Sequence, residues 1–167
     1  MSPKVFWIDA PDVGRLAVVS RPDPALGLPQ QMQALRDAGI DTLVSLLAPN
    51  EAAAMGLADE GAAAIAAGMA FDTLPTSDFA IPPSFTTAAL VIGRAAGDLR
   101  AGRSVGAHCF AGRGRSPLFI AALMVHEGYA ASDAIDAVSA ARGRRVPETA
   151  AQRRWVADYA DWCRANS

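Results

Sequence analysis

Residues 104–126 set a short apolar strand, a loop bearing two glycines and a continuous apolar helix in immediate succession. Ser104 to His108 reads as the strand, Cys109 to Arg115 as the loop and Pro117 to His126 as the helix. This sequence of elements constrains the fold, because a strand that passes straight into a helix is the repeating step of an α/β domain with a parallel sheet. It also constrains function. A tight loop at a helix start turns several backbone N–H groups inward and adds the positive end of the helix, so the segment is built to hold an anion.

The rest of the chain repeats the alternation. Leu16 to Ser20 reads as a strand ended by Arg21-Pro22-Asp23-Pro24, and Gln30 to Ala38 as a helix stopped by Gly39. Asp41 to Leu47 reads as a buried strand broken by Pro49-Asn50, Ala58 to Ala67 as a helix, and Phe71 to Leu74 as a brief strand. Ser84 caps a helix to about Arg100, Ser132 to Arg142 forms another that stops at Gly143, and a last one runs from about Glu148 to Ala165. The expected architecture is a central four- or five-stranded, mainly parallel sheet flanked by helices, in one domain over residues 1–167.

Composition narrows the partners. A net charge of −2 gives no global attraction to nucleic acid or to an anionic membrane, so an anionic substrate must be captured by a local positive site. No apolar run is long enough for a bilayer, and Met1 to Ala10 lacks the apolar core of a signal peptide. Cys109 and Cys163 are the only cysteines, which predicts free thiols and a cytoplasmic location. With two histidines, no Cys-x-x-Cys and no His-Glu-x-x-His, neither a metal nor another cofactor is expected.

Within the loop each residue type has a use. Gly112 and Gly114 permit the backbone angles of a curled anion cradle made by Phe110, Ala111, Gly112, Arg113, Gly114 and Arg115. Arg115 closes the ring with a planar fork that suits two phosphoryl oxygens. The same donors favour a thiolate at Cys109, so substrate and nucleophile share one electrostatic device. Ser116 can hydrogen-bond the departing sulfur. A core cysteine in a turn would explain none of the glycines, the arginine or the hydroxyl.

His108-Cys109-Phe110-Ala111-Gly112-Arg113-Gly114-Arg115-Ser116 resembles the HCxxGxxRS signature of the cysteine-based protein tyrosine and dual-specificity phosphatases, matching it at His108, Cys109, Gly112, Arg115 and Ser116. Residues 39–47 resemble the family's early strand and Leu74-Pro75-Thr76-Ser77-Asp78 its general-acid loop, so the likeness spans about residues 36–145 and suits compact bacterial or atypical dual-specificity members. The resemblance implies a phosphatase-like fold and a phosphomonoester hydrolase that works through a phosphocysteine intermediate. Asp78 would protonate the leaving group, under a flap in which Phe79, Ile81, Pro82 and Pro83 close over the pocket and exclude water. Substrates would be a phosphorylated protein or a small phosphomonoester, with phosphoinositides or inositol phosphates the alternative. A rhodanese-like or arsenate-reductase-like enzyme uses no acid such as Asp78, and a phosphobinding module would not need Cys109, Arg115 and Asp78 together.

Other residues receive lesser readings. His108, at the strand end, is expected to orient the loop rather than transfer protons. Two readings of Arg113 stand: it lines the pocket mouth, or it is simply exposed. Arg142, Arg144 and Arg145 read as a solvated helix end, and His126 as a helix-end residue. Trp155, Tyr159 and Trp162 form a core-facing stripe, with Cys163 beside it as a bystander. Gln152 falls on a helix and is given no catalytic role.

Overall fold

The computed structural model describes residues 2–10 and 14–167. Along the chain the elements are β1 (Val5–Trp7), β2 (Leu16–Val19), a 3-10 turn (Pro24–Leu26), α1 (Leu28–Asp37), β3 (Thr42–Ser45), α2 (Pro49–Ala54), α3 (Glu60–Ala66), β4 (Ala70–Thr73), α4 (Phe85–Arg100), β5 (Val105–His108), α5 (Arg115–His126), α6 (Ala131–Arg142) and α7 (Ala150–Ala165). The five strands form one sheet in the order β1-β2-β5-β3-β4. Only β1 is antiparallel, with Val5 opposite Val19. The other four run parallel, so the expected mainly parallel sheet with flanking helices is what the chain forms.

Alternation along the strands sorts the core into two layers. Leu16, Val18, Val44, Val105 and Ala107 face α4 to α7, whereas Ala17, Val19 and Leu43 pack with Met32 and Leu35 of α1 and Ala64 of α3. In the larger layer α5 is surrounded by α4, α6 and α7. Every residue from Arg115 to Val125 is buried, which explains why this helix reads as apolar all round rather than on one stripe. β3 and β5 lie side by side with Ser45 opposite His108, so the segments that leave their carboxyl ends emerge together. The crevice beyond the carboxyl ends of parallel strands is where open α/β sheets hold ligands.

Three local expectations need correction. Val5–Trp7, unassigned in the sequence reading, forms the antiparallel edge strand. Pro49-Asn50 does not simply break a strand: Pro49 opens α2, because proline's missing N–H costs nothing in the first helical turn. Helix α5 begins at Arg115 rather than Pro117, so Arg115 and Ser116 are its first residues and not part of the loop's irregular backbone. The caps read from sequence hold at Ser84, whose hydroxyl accepts from the N–H of Thr87, and at Gly143, which is left-handed.

Candidate active site

The loop after β5 forms a cavity of about 220 Å³ lined by Cys109, Phe110, Ala111, Arg113, Gly114 and Arg115, with Asp78, Phe79 and Glu148 at its sides. Gly112 sits at φ +68°, a conformation that favours glycine. At Gly114 the need is space: a Cβ there would lie 2.8 Å from the Gln152 amide nitrogen. Cys109 is 3% exposed, and its Sγ lies 3.1 Å from the Ser116 hydroxyl at the start of α5. Nucleophile candidate, hydroxyl and helix start are therefore together, as the spacing predicts.

Arg115 is bound on several sides. Its Nη1 donates to Glu51 Oε1 at 2.6 Å and to the Thr76 carbonyl at 2.9 Å, and its Nη2 donates to Glu51 Oε2 at 2.9 Å and to Asp78 Oδ1 at 3.2 Å. The fork expected to face two phosphoryl oxygens is thus presented to Glu51. Among the described residues Nε–H has no protein acceptor, so Nε and the Nη2 proton now shared with Asp78 are the edge open to a phosphoryl group. Burial pulls the Arg115 guanidinium down, but the Glu51 hydrogen bond and the charges of Cys109, Glu51 and Asp78 outweigh it and raise it overall. Its hydrogen bond to Glu51 holds the Glu51 carboxyl below its ordinary value despite burial.

The segment after β4 delivers Asp78. Leu74 N–H donates to Ser45 O and Thr76 N–H to Leu46 O, which continues the sheet pairing and aims the loop at Arg115. The Asp78 side chain is 46% exposed, its Oδ1 accepting from Phe79 N–H at 3.0 Å as well as from Arg115. Phe79, at φ +60°, is 64% exposed and Ile81 is exposed too. Of the four residues expected to form an apolar flap, Phe79 lines the cavity, Pro82 is buried, and Ile81 and Pro83 are exposed. Gln152, fully buried, donates from Nε2 to Ala80 O at 3.1 Å, so it touches both this loop and Gly114.

His108 is fully buried behind the cysteine. Its Nε2 contacts Glu60 Oε1, and its Nδ1 lies 3.4 Å from the Cys109 carbonyl. The ring thus lies between α3 and the first residue of the loop.

A sequence family described as "Polymorphic toxin system, DSP-PTPase phosphatase" matches residues 18–129, a span that contains both β5 and the cysteine loop. The chain belongs to this DSP-PTPase family. As a member it is a cysteine-dependent phosphatase of the tyrosine and dual-specificity type. Compared with curated protein sequences, the phosphatase has no match. Among solved structures it is similar to kinase associated phosphatase with its catalytic cysteine replaced by serine, at TM-score 0.87 and 18% identity over 99% of this chain and 98% of that one. It is similar to Tk-PTP in the active form at TM-score 0.73 and 22% identity, covering 90% of this chain and 94% of that one. It is also similar to PTPMT1 in complex with PI(5)P at TM-score 0.72 and 18% identity, covering 89% and 93%. Identities of this size establish a shared fold.

The remaining sequence readings divide. Trp155 and Tyr159 are buried, Tyr159 stacks on both Trp155 and Trp162, and Phe85 packs tilted against Trp155 and Tyr159, the expected stripe. Cys163 stays apart from the pocket of the phosphatase, its thiol pushed up by burial. His126 contacts the Tyr159 hydroxyl and is pulled down by burial. Arg144 and Arg145 are exposed, but Arg142 is not a solvated helix end: its Nε donates to Gly112 O at 2.8 Å and its guanidinium lies over the Phe6 ring. Burial first, and then Arg144 and Arg113, lower it. Arg113 lines the cavity and has no carboxylate partner among the described residues. Two carboxylates that contact site residues, Glu51 at Arg115 and Glu60 at His108, were not anticipated from the sequence.

The Glu51 contact carries a testable pH dependence. A carboxyl held below its ordinary value of 4.5 stabilises the fold above about that pH, and the contribution disappears as pH falls through the lower folded value. Glu51→Gln should cost about 2 kcal/mol at neutral pH, the cost of losing one partner of a charge-assisted pair. In urea titrations this gap from wild type should shrink on acidification below that value. A gap independent of pH would show that Glu51 does not act as a charged partner.

Proposed function

We propose that the phosphatase hydrolyses phosphomonoesters with Cys109 as nucleophile, Arg115 and the loop N–H groups as phosphoryl binders, Asp78 as acid and base, and Ser116 as support for the departing thiolate. The supporting observation is the placing of a 3% exposed Cys109 in the loop cavity, hydrogen-bonded to Ser116 and flanked by an arginine that Glu51 holds rigid. The chemistry runs in two displacements. The thiolate forms an S–P bond as the ester P–O bond breaks, and Asp78 gives its proton to the leaving oxygen. Water then attacks phosphorus while Asp78 takes its proton, the S–P bond breaks, and inorganic phosphate leaves. Loop N–H groups, Arg115 Nε and Nη2 stabilise the equatorial oxygens throughout. Asp78 must release Arg115 Nη2 for this, a contact whose carboxylate side is 46% exposed to solvent.

A protein-borne phosphomonoester is the substrate class this reading favours. Phe79 and Phe110 expose apolar rings at the sides of the cavity, 64% and 50% exposed, where an aryl or peptide group would lie beside the scissile phosphate. One observation favours a second reading. Arg113 lines the same cavity without a carboxylate partner among the described residues, a site for an additional phosphate such as a polyphosphorylated inositol carries. PTPMT1, one of the similar structures, holds PI(5)P. With both cysteines free, a reducing cytoplasm is the proposed location.

Cys109→Ser should lower kcat for an aryl phosphate by about 10³-fold or more while phosphate-ester binding persists, and Asp78→Asn by about 10²-fold or more. Appreciable turnover by Cys109→Ser would remove Cys109 as nucleophile. Arg113→Ala separates the substrate classes: on the favoured reading it leaves kcat/KM for a phosphotyrosine peptide within about threefold of wild type and weakens hydrolysis of polyphosphorylated inositols by about tenfold, one charge-assisted contact's worth. A wild type that prefers the inositols over every phosphopeptide would replace the favoured class with the second.

A further inference from the structure

Gln152 is 0% exposed, in the first turn of α7, where its backbone N–H donates to the Thr149 hydroxyl at 3.1 Å and its Oε1 accepts from the Thr149 N–H at 3.2 Å. These two bonds close a capping box, a motif that glutamate and glutamine complete equally well because it asks the side chain only for an acceptor. The Nε2 donor is left over from that task. A buried amide whose N–H groups lack a partner is costly, so this end of the side chain calls for its own explanation.

That end reaches 72 residues back along the chain and donates to the Ala80 carbonyl at 3.1 Å. The Ala80 N–H in turn donates to Ser77 O at 3.0 Å, closing a tight turn with Asp78 and Phe79 at its two central positions. Among the described residues, the stretch from Ser77 to Pro83 makes two hydrogen bonds to the rest of the fold, Asp78 to Arg115 and Ala80 to Gln152. The first has to break for Asp78 to serve a leaving group, which leaves the second to fix the turn. The same amide occupies the space that a Cβ on Gly114 would need, 2.8 Å from Nε2 and 2.9 Å from Oε1. One buried side chain therefore touches both the turn that carries Asp78 and the loop that carries Cys109.

We propose that Gln152 is a positioning residue for Asp78: its amide ties the Ala80 carbonyl to the start of α7 and sets where the acid stands relative to the cysteine loop. The inference rests on Asp78 as the acid of the proposed reaction. Proton transfer to a leaving oxygen requires hydrogen-bond reach, and a misplacement of about 1 Å is enough to cost orders of magnitude in rate. An exposed turn has no such precision of its own, whereas a turn tied to a buried side chain on a 16-residue helix takes its place from the helix. Gln152 does not itself line the cavity, so it acts on the reaction through these contacts alone.

The test compares kcat/KM of the full chain for phenyl phosphate, whose leaving oxygen needs a proton, with that for dinitrophenyl phosphate, whose leaving oxygen does not. Gln152→Glu keeps the acceptor for the cap but has no N–H for Ala80. It should lower kcat/KM about tenfold for phenyl phosphate and less than about twofold for the dinitrophenyl ester. Gln152→Met, uncharged and of similar length, should do the same, and it keeps the test decisive if the glutamate variant does not fold. With Asp78→Asn already present, neither substitution should slow phenyl phosphate further, because Gln152 acts through Asp78. Thr149→Ala removes the cap hydroxyl but leaves the amide in place, and it should keep the wild-type ratio between the two esters. Equal losses on both esters, wild-type values in the Gln152 variants, losses that multiply with Asp78→Asn, or a ratio that moves as far in Thr149→Ala would each overturn the proposal. A wild-type ratio in Asp78→Asn would refute the acid assignment, and the proposal with it. An altered ratio in Asp78→Asn beside unaltered ratios in the Gln152 variants would refute the proposal alone.

Discussion

Arg115 carries a full positive charge at 2% exposure, and the arrangement of the site follows from how that charge is accommodated. An isolated buried guanidinium is strongly unfavourable, so its donors must be met by acceptors with good geometry. Glu51 from α2 meets two of them, the Thr76 carbonyl a third and Asp78 a fourth. Satisfying one side chain thereby joins the start of α5, the helix after β3 and the loop after β4. Glu51 and Thr76 contact the guanidinium from the interior, while Asp78 contacts it from a position half in solvent.

The crossover between β3 and β4 supplies both acids that brace the cysteine loop. Glu51, on α2, holds the arginine that ends the loop, and Glu60, on α3, holds the histidine that precedes it. Cys109 lies between these two buried contacts. A loop held at both ends has less conformational freedom to lose, and preorganised donors are where much electrostatic catalysis originates. The parallel pairing of β3 beside β5 makes the double bracing possible, because it sets the segment after Ser45 next to the loop after His108.

The cysteine loop was legible from residues alone because its chemistry is local: spacing, glycine placement and the strand-to-helix transition all lie within residues 104–126. Sheet class and most helices were legible for the same reason, through periodicity and caps such as Ser84 and Gly143. Glu51 and Glu60 were not, since each lies in an alanine-rich stretch where a lone acid looks like solvated surface, and its partner is 64 or 48 residues away. Helix α2 was hidden by Pro49, which breaks a strand and starts a helix with equal ease. Arg142 was misplaced because a basic residue in a last helical turn normally needs no partner beyond the helix dipole, whereas here it reaches Gly112 and Phe6.

The central claim is that phosphorus passes through Cys109. Rapid acid quenching of the enzyme during turnover of an aryl phosphate, followed by mass spectrometry of the proteolysed chain, tests it most directly. The account predicts one phosphoryl group on the peptide that contains Cys109, attached through sulfur and lost when substrate is exhausted. A phosphoryl group on any other side chain, or steady turnover with Cys109 never modified, would contradict it.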